Sequence, residues 1–455
     1  MKKKNRKEGN GWGKKQKSGK LKNRLLAILM IASIFAGILG NPVLMYGNPV
    51  DVKMSVTGNR MESGRLAQKN LLENATEEIR VKSKSMVLME ASTGKIIASS
   101  GEEEELMLAS VTKIMTLLLI YEAMEERKFD KDDIVTVSAH AAGMGGSQVY
   151  LEEGEQQKVE DLIKCIAIAS ANDAATAMAE YVAGSEEAFV KKMNDKATEL
   201  GMEHTRFSNC CGLDGSLSKK DHYSCALDIA IMSRELINRF PQVTEYTTTW
   251  MDTITHVTRK GESEFGLTNT NKLVRYYDGI TGIKTGFTGK AGFCLSASAT
   301  RDGLSLIAVV MGAASSKDRF EDATRLLDYG FANLCIYKDP CSRDGYPIEV
   351  KQGKVKELTA RPEKDSAILL PAGQSKQIEK KVVLKENVKA PLKKGDAVGE
   401  VQYFKDGTCI EEISIVIEKD VEKADFSYYF DRVCRSFFSF SKIQHRQEKK
   451  NGIKY

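Results

Sequence analysis

The sequence predicts an α/β sandwich, an antiparallel sheet with helices, followed by a small all-β domain. Three observations carry this. Met86-Val87-Leu88-Met89, the turn-like Ser92-Thr93-Gly94-Lys95 and Ile96-Ile97-Ala98 have the pattern of a β-hairpin. Helical patterns follow in the middle of the chain, and 292–299 and 304–313 then look like paired strands ahead of a helix over 318–333. Strand first, helices in the middle, strands and a helix last imply one sheet that joins both ends of the domain.

The first helical pattern starts at Leu108-Ala109-Ser110-Val111-Thr112-Lys113 and continues as Ile114-Met115-Thr116-Leu117-Leu118-Leu119-Ile120, apolar on nearly all sides and therefore buried. Ser110 and Lys113 are three residues apart, so a helix places both side chains on one face. A hydroxyl beside an amine is a candidate nucleophile–base pair. Ser is equally a good N-cap, and Ser-x-x-Lys recurs at Ser92/Lys95, Ser216/Lys219 and Ser439/Lys442, so the spacing alone decides nothing. The first of these copies sits in a turn beside Gly94, the second in a loop over 205–217 and the third in the tail.

Helical patterns are expected over 159–181, with a small-residue centre that carries Ser170-Ala171-Asn172, and over 186–200 and 225–239. The segment 251–271 alternates polar and apolar residues. Lys284-Thr285-Gly286, flanked by Gly282 and Gly289, precedes an apolar strand. A hinge is expected at 341–345. Short β-like runs then follow at 348–350, 367–370, 381–384, 398–404 and 413–417, interrupted by Gly, Pro and Lys, which predicts the all-β domain.

The two ends of the chain are different in kind. Eleven Lys and Arg crowd the first 24 residues against a lone Glu8, and the uninterrupted apolar run 25–39 follows. That is a secretory h-region or an N-terminal anchor with its basic flank inside, and no clean cleavage site accompanies it. At the other end Phe426, Phe430, Val433, Phe437 and Phe440 recur at helical spacing beside Arg432, Arg435, Lys442 and Arg446, a basic amphipathic helix suited to a membrane surface. The net charge of +5 comes from the basic tail, which leaves a slightly acidic body with no nucleic-acid footprint. Nine cysteines show no regular framework and no Cys-x-x-Cys, and with five scattered histidines neither metal nor cofactor is expected. Free thiols in an exported chain suit a poorly oxidising habitat.

Ser-x-x-Lys, Ser-x-Asn and Lys-Thr-Gly in this order form the set shared by penicillin-binding proteins and class A β-lactamases. Glu90 to Gly94, Ala109 to Thr116, Ser170 to Ala175, Asn269-Thr270-Asn271-Lys272-Leu273 and Asp278 to Thr288 resemble the low-molecular-weight penicillin-binding proteins that are serine D-alanyl-D-alanine carboxypeptidases. The resemblance covers residues 85–420 and implies a β-lactamase/transpeptidase-like sandwich. It makes Ser110 the nucleophile, Lys113 its base, Ser170 the proton carrier to the leaving amine and Asn172 the residue that orients Lys113 and the substrate amide. Lys284 and Thr285, followed by Gly286, would hold the substrate carboxylate, and the N–H groups of Ser110 and Phe287 the oxyanion. Implied partners are a peptidoglycan stem peptide ending in D-Ala-D-Ala, β-lactams as inhibitors and a membrane surface. The implied domains are 1–46 (basic tail plus signal peptide or anchor), 47–84 (linker), 85–340 (catalytic), 345–420 (β domain) and 421–446 (membrane-associated helix).

The other readings are a β-lactamase and a non-hydrolytic sensor or an endopeptidase of the same fold. A β-lactamase needs a deacylating Glu after the Ser-x-Asn helix, and Glu203 lies in the right region without the right neighbours. Cys210-Cys211, between Asn209 and Gly212-Leu213, departs from the family pattern.

Overall fold

A computed structural model describes residues 79–435, apart from 259, 260 and 342. The basic tail, the apolar run 25–39 and most of the expected linker lie outside the described residues. The expected hairpin is β1 (Ser85–Glu90) and β2 (Ile96–Ser100). Its turn is closed by Glu90, whose buried carboxylate accepts the N–H and the hydroxyl of both Ser92 and Thr93. A 3-10 turn, Ala109–Thr112, leads into α1 (Lys113–Glu125), in which every residue from Lys113 to Tyr121 is buried. Ser110 thus stands one turn ahead of the α-helix it was expected to open.

The small hairpin of β3 (Ile134–Thr136) and β4 (Gln156–Lys158) comes next. The pattern over 159–181 predicts one helix, and the structure has two, α2 (Val159–Lys164) and α3 (Asn172–Ala183). A π-helical turn, Cys165–Ala169, separates them and ends at Ser170 in the left-handed conformation with φ 63°. Helices α4 (Glu186–Glu199) and α5 (Ala226–Arg239) and the hairpin β5 (Met251–Thr258) and β6 (Gly261–Thr268) complete the middle of the domain. The chain then forms β7 (Ile280–Thr288), β8 (Gly292–Arg301), β9 (Leu304–Ala313) and α6 (Ser316–Asn333), the last capped by Ser315, whose hydroxyl accepts the Asp318 N–H at 3.0 Å. Lys-Thr-Gly lies inside β7, where the sequence places it ahead of a strand.

The main sheet is antiparallel with order β2-β1-β9-β8-β7, so the first and last parts of the domain meet at β1 and β9, Met86 opposite Val310. Alternating side chains of each strand face opposite sides. Val87, Met89, Ile307, Val309 and Met311 join α1 and α5 in one core. Met86, Leu88, Leu306, Ala308 and Val310 pack against Phe320, Ala323, Leu326 and Leu327 of α6 in the other. The sheet therefore runs between two cores, and α1 is the spine of the larger.

Beyond α6 come β10 (Leu334–Lys338), β11 (Tyr346–Glu349), β12 (Glu357–Pro362), β13 (Ala367–Pro371), β14 (Ile378–Leu384), β15 (Ala397–Lys405) and β16 (Thr408–Ile417). Five of them form a second sheet in the order β11-β12-β16-β15-β14, while β10 pairs with β13. The sequence pattern predicts neither β10 nor β12. β12 buries only Ala360 and pairs with β16 through its last three residues, so it lacks a strong apolar signature. The described chain ends in a helical stretch over 426–435 in which Phe426, Phe430 and Val433 are exposed, and Phe437 and Phe440 lie outside the described residues. No helix among the described residues is long and apolar enough to cross a membrane.

Candidate active site

Ser110 is placed by a tight entry into α1. Ala109 before it has φ 50°, and the Thr112 hydroxyl donates to the Ala109 carbonyl at 2.8 Å. Lys113 opens α1, and its Nζ lies 3.1 Å from Ser110 Oγ. The same nitrogen donates to Asn172 Oδ1 at 2.5 Å and to the Cys211 carbonyl at 2.7 Å. Asn172 begins α3, and its amide cannot flip without loss because Nδ2 donates to the Gly145 carbonyl at 2.7 Å.

These partners fit a neutral amine. Asn172 Oδ1 and the Cys211 carbonyl are pure acceptors and take two N–H bonds, which leaves the lone pair of a neutral Lys113 for the Ser110 hydroxyl. Burial supplies the cause: Lys113 is 0% exposed, and loss of hydration pulls its pKa below the ordinary lysine value. Cys211 and Cys210, and after them Asp173, oppose this, the Asp173 carboxylate being turned to the backbone N–H groups of Val149, Leu151 and Ala174.

The second wall is β7. Lys284 is buried, and its pKa is driven well down, first by burial, then by Lys113 and Arg319. Its Nζ donates to the Thr285 carbonyl at 3.2 Å, and Thr285 Oγ1 donates to Thr270 Oγ1 at 2.7 Å. Thr270 follows Asn269, whose Nδ2 donates to the carbonyls of Thr247 and Thr249, so the Asn269 to Asn271 stretch braces the wall. At Gly286 a Cβ would stand 2.7 Å from the Leu108 carbonyl and 3.1 Å from the Ser110 nitrogen. Only glycine lets β7 come this close to the turn that carries Ser110. Phe287, 56% exposed, stacks on Phe293 with ring centroids 4.2 Å apart at the rim.

Of the expected residues, Ser110, Lys113 and Asn172 form one hydrogen-bonded group, and Gly286 touches its edge. Ser170 is buried at the break between α2 and α3, two residues before Asn172, and its hydroxyl has no hydrogen bond to Ser110, Lys113 or Lys284 among the described residues. The Ser216/Lys219 copy is on a surface loop, and Ser439/Lys442 is outside the described residues. Glu203 is exposed in the turn after α4, and no described carboxylate is hydrogen-bonded to Ser110 or Lys113.

Sequence reasoning missed three contributors. The Cys211 carbonyl is a backbone atom and leaves no trace in residue type. Arg319 of α6 is buried and donates to the carbonyls of Gly286 at 3.0 Å and Cys294 at 3.3 Å, over the faces of Phe293 and Phe320. His222 is buried with Nε2 2.8 Å from Thr112 Oγ1, and its Nδ1 accepts the Ser208 N–H at 3.0 Å. Burial pulls the Arg319 pKa only down to about 10, so its guanidinium keeps its charge behind β7 without a described carboxylate hydrogen-bonded to it, a positive charge that suits an anionic ligand end.

Comparison with known proteins places this geometry. Residues 72–315 match the family model described as D-alanyl-D-alanine carboxypeptidase, and residues 340–423 that of the penicillin-binding protein 5 C-terminal domain. The D-alanyl-D-alanine carboxypeptidase DacF of Bacillus subtilis is 41% identical over 80% of this chain and 92% of its own. DacC of Escherichia coli, also named a D-alanyl-D-alanine carboxypeptidase, is 33% identical over 78% and 88%. Penicillin-binding protein 5 of Haemophilus influenzae superposes with a TM-score of 0.64 at 29% identity, over 76% of this chain and all of its own. With its two-domain match and its Ser110–Lys113–Asn172 group beside Lys284-Thr285-Gly286, the chain belongs to the D-alanyl-D-alanine carboxypeptidase family of low-molecular-weight penicillin-binding proteins.

Proposed function

We propose that the protein removes the terminal D-alanine from peptidoglycan stem pentapeptides through an acyl-enzyme on Ser110, and that β-lactams acylate the same hydroxyl. One observation carries this reading: Lys113 Nζ stands 3.1 Å from Ser110 Oγ with its two other bonds taken by pure acceptors. Lys113 takes the Ser110 proton as Oγ attacks the carbonyl of the penultimate D-alanine. The N–H groups of Ser110 and Phe287 hold the oxyanion, each donor contributing about 3 kcal/mol to the transition state. Ser170 passes the proton to the leaving amine, and Asn172 holds Lys113 and the substrate amide. Lys284 and Thr285 bind the terminal carboxylate, which makes the enzyme an exopeptidase. Water then resolves the acyl-enzyme.

The test is D-alanine release from a diacetyl-L-Lys-D-Ala-D-Ala peptide, abolished in Ser110→Ala. Penicillin labelling without release would make the protein a sensor. Penicillin hydrolysis faster than release would make it a β-lactamase, and cleavage only of cross-linked peptides an endopeptidase.

The domain limits follow the same reading: catalysis in 85–340, the β domain in 345–420 and export directed by 25–39. Segment 421–446 rests on the membrane, a reading supported by the exposed Phe426, Phe430 and Val433. Co-sedimentation with anionic lipid vesicles tests this, and Phe426→Ser with Phe430→Ser should weaken it; binding unchanged in the double variant would remove the tail from the account.

A further inference from the structure

Cys210 and Cys211 are adjacent, free and fully buried on a bend that packs against the start of α1. Each gives its carbonyl to that helix: Cys210 accepts from Thr116 Oγ1 at 2.5 Å and Cys211 from Lys113 Nζ at 2.7 Å. The bend has no slack, because a Cβ on Gly212 would fall 1.9 Å from the Ala109 carbonyl. Thr176 Oγ1 lies 3.5 Å from Cys210 Sγ, and Cys211 Sγ lies 3.7 Å from Asn209 Oδ1. A few residues further on the chain reaches the surface, where Gly215 and Ser216 are exposed.

We propose that Cys210 and Cys211 are an oxidative modification site, at which a low-molecular-weight disulfide converts the pair to a vicinal disulfide that withdraws the Cys211 carbonyl from Lys113 and disarms Ser110. This rests on the reading of Lys113 as the base. The two thiols are already divided in role. Cys211 is held down at about 7, first by the adjacent Cys210 thiol, while the Cys210 thiol is pushed up by its Cys211 neighbour and by burial. The Cys211 thiolate attacks one sulfur of the small disulfide and expels its other half as a thiolate, which takes the Cys210 proton. The Cys210 sulfur then attacks the Cys211 sulfur and expels the second half, so two protein thiols are oxidised and one disulfide is reduced to two thiols. Closing the bond makes an eight-membered ring around the peptide between the two residues and brings their Cβ atoms to within about 4 Å. That peptide carries the Cys210 carbonyl bonded to Thr116 and the Cys211 N–H bonded to Asn209 Oδ1, so ring closure turns it and moves the neighbouring Cys211 carbonyl with it.

The experiment treats the full chain with hydroxyethyl disulfide or with dithiothreitol and reads two quantities. One is the mass of the tryptic peptide 207–219, which holds both cysteines and no other. The second is the rate of Ser110 acylation by a fluorescent penicillin. The proposal expects peptide 207–219 to lose two hydrogens and acylation to fall about tenfold or more, the scale of losing one hydrogen bond to a charged or reacting group. Dithiothreitol restores both, and in Cys210→Ser the reaction stops at a mixed disulfide on Cys211, so peptide 207–219 gains a hydroxyethylthio group instead of losing two hydrogens. No mass loss in 207–219, mass loss with an unchanged rate, or no adduct on peptide 207–219 of Cys210→Ser would each overturn it. If Cys210→Ser fails to accumulate, Cys210→Ala serves the same comparison. The mass measurement does not depend on Ser110, so a reduced enzyme that never acylates would sink the catalytic reading and leave the thiol chemistry still measurable in Ser110→Ala.

Discussion

A half-buried lysine of the β domain and a fully buried one of the catalytic domain meet opposite partners, with opposite results. In the β domain Lys380 is 2.6 Å from Asp339, which also accepts the Tyr403 hydroxyl, and the carboxylate holds the ammonium above the ordinary lysine pKa. In the catalytic domain Lys113 meets an amide oxygen, a backbone carbonyl and a hydroxyl, and burial holds it below. An amine paired with a carboxylate stays charged and fastens structure together. An amine given only neutral acceptors is released from its proton and becomes a base.

The largest effects should come from removing each lysine in turn. Lys113→Met should lower the rate of penicillin acylation by about a thousandfold or more, the scale of a lost general base, with little loss of thermal stability. Lys380→Met should leave acylation within about twofold and cost about 1–2 kcal/mol of stability, between the values for exposed and buried pairs. Acylation rates and denaturant midpoints on both variants check this. A Lys380 variant that loses acylation would end the division of labour between the two domains.

A smaller change should convert one kind of lysine into the other. Asn172→Asp puts a carboxylate where Lys113 now meets an amide oxygen 2.5 Å away. The charged amine is then favoured, so its pKa rises, and the acid limb of the acylation profile should move to higher pH. Each pH unit of that move costs about tenfold in rate at neutral pH, and a total of about 10- to 100-fold is expected. Recovery of rate on raising the pH separates this from misfolding. A uniform loss with an unmoved profile would mean that Asn172 acts on the substrate alone.

How far the sequence discloses this contrast depends on where each group lies. Ser110 and Lys113 are local, three residues apart at a helix start, and the sheet that joins β1 to β9 is foreshadowed by the strand–helix–strand order. The break at Ser170 is not local. Small residues from Ala167 to Ala179 favour a continuous helix, and the turn is fixed instead by the Asn172 N–H donating to the Ser147 carbonyl and the Ala171 N–H to that of Cys165. The position of Lys-Thr-Gly is blurred because buried Lys284 and Thr285 interrupt the apolar pattern of β7. Arg319 and the Cys211 carbonyl act across large sequence distances with no spacing to betray them.

The mildest test of the contrast is His222, another buried cation-former without a carboxylate. Burial pulls its pKa down to about 4, and the Ser208 N–H donated to Nδ1 fixes the neutral ring that gives its Nε2–H to Thr112. The folded protein therefore refuses a proton that the unfolded chain takes up near its ordinary value of 6.5. Between those two values the unfolded state binds more protons, so stability is full above pH 6.5 and falls as the pH drops toward 4. The loss amounts to roughly 3 kcal/mol by pH 4, since each tenfold difference in proton affinity is worth about 1.4 kcal/mol. His222→Gln should flatten that slope in thermal melts from pH 7 to 4 while acylation at pH 7 stays within about threefold, because the ring supports the Thr112–Ala109 turn and does not touch Ser110. An equally steep slope in the variant would assign the acid loss to other groups, and would mean that burial without a carboxylate partner leaves this imidazole unperturbed.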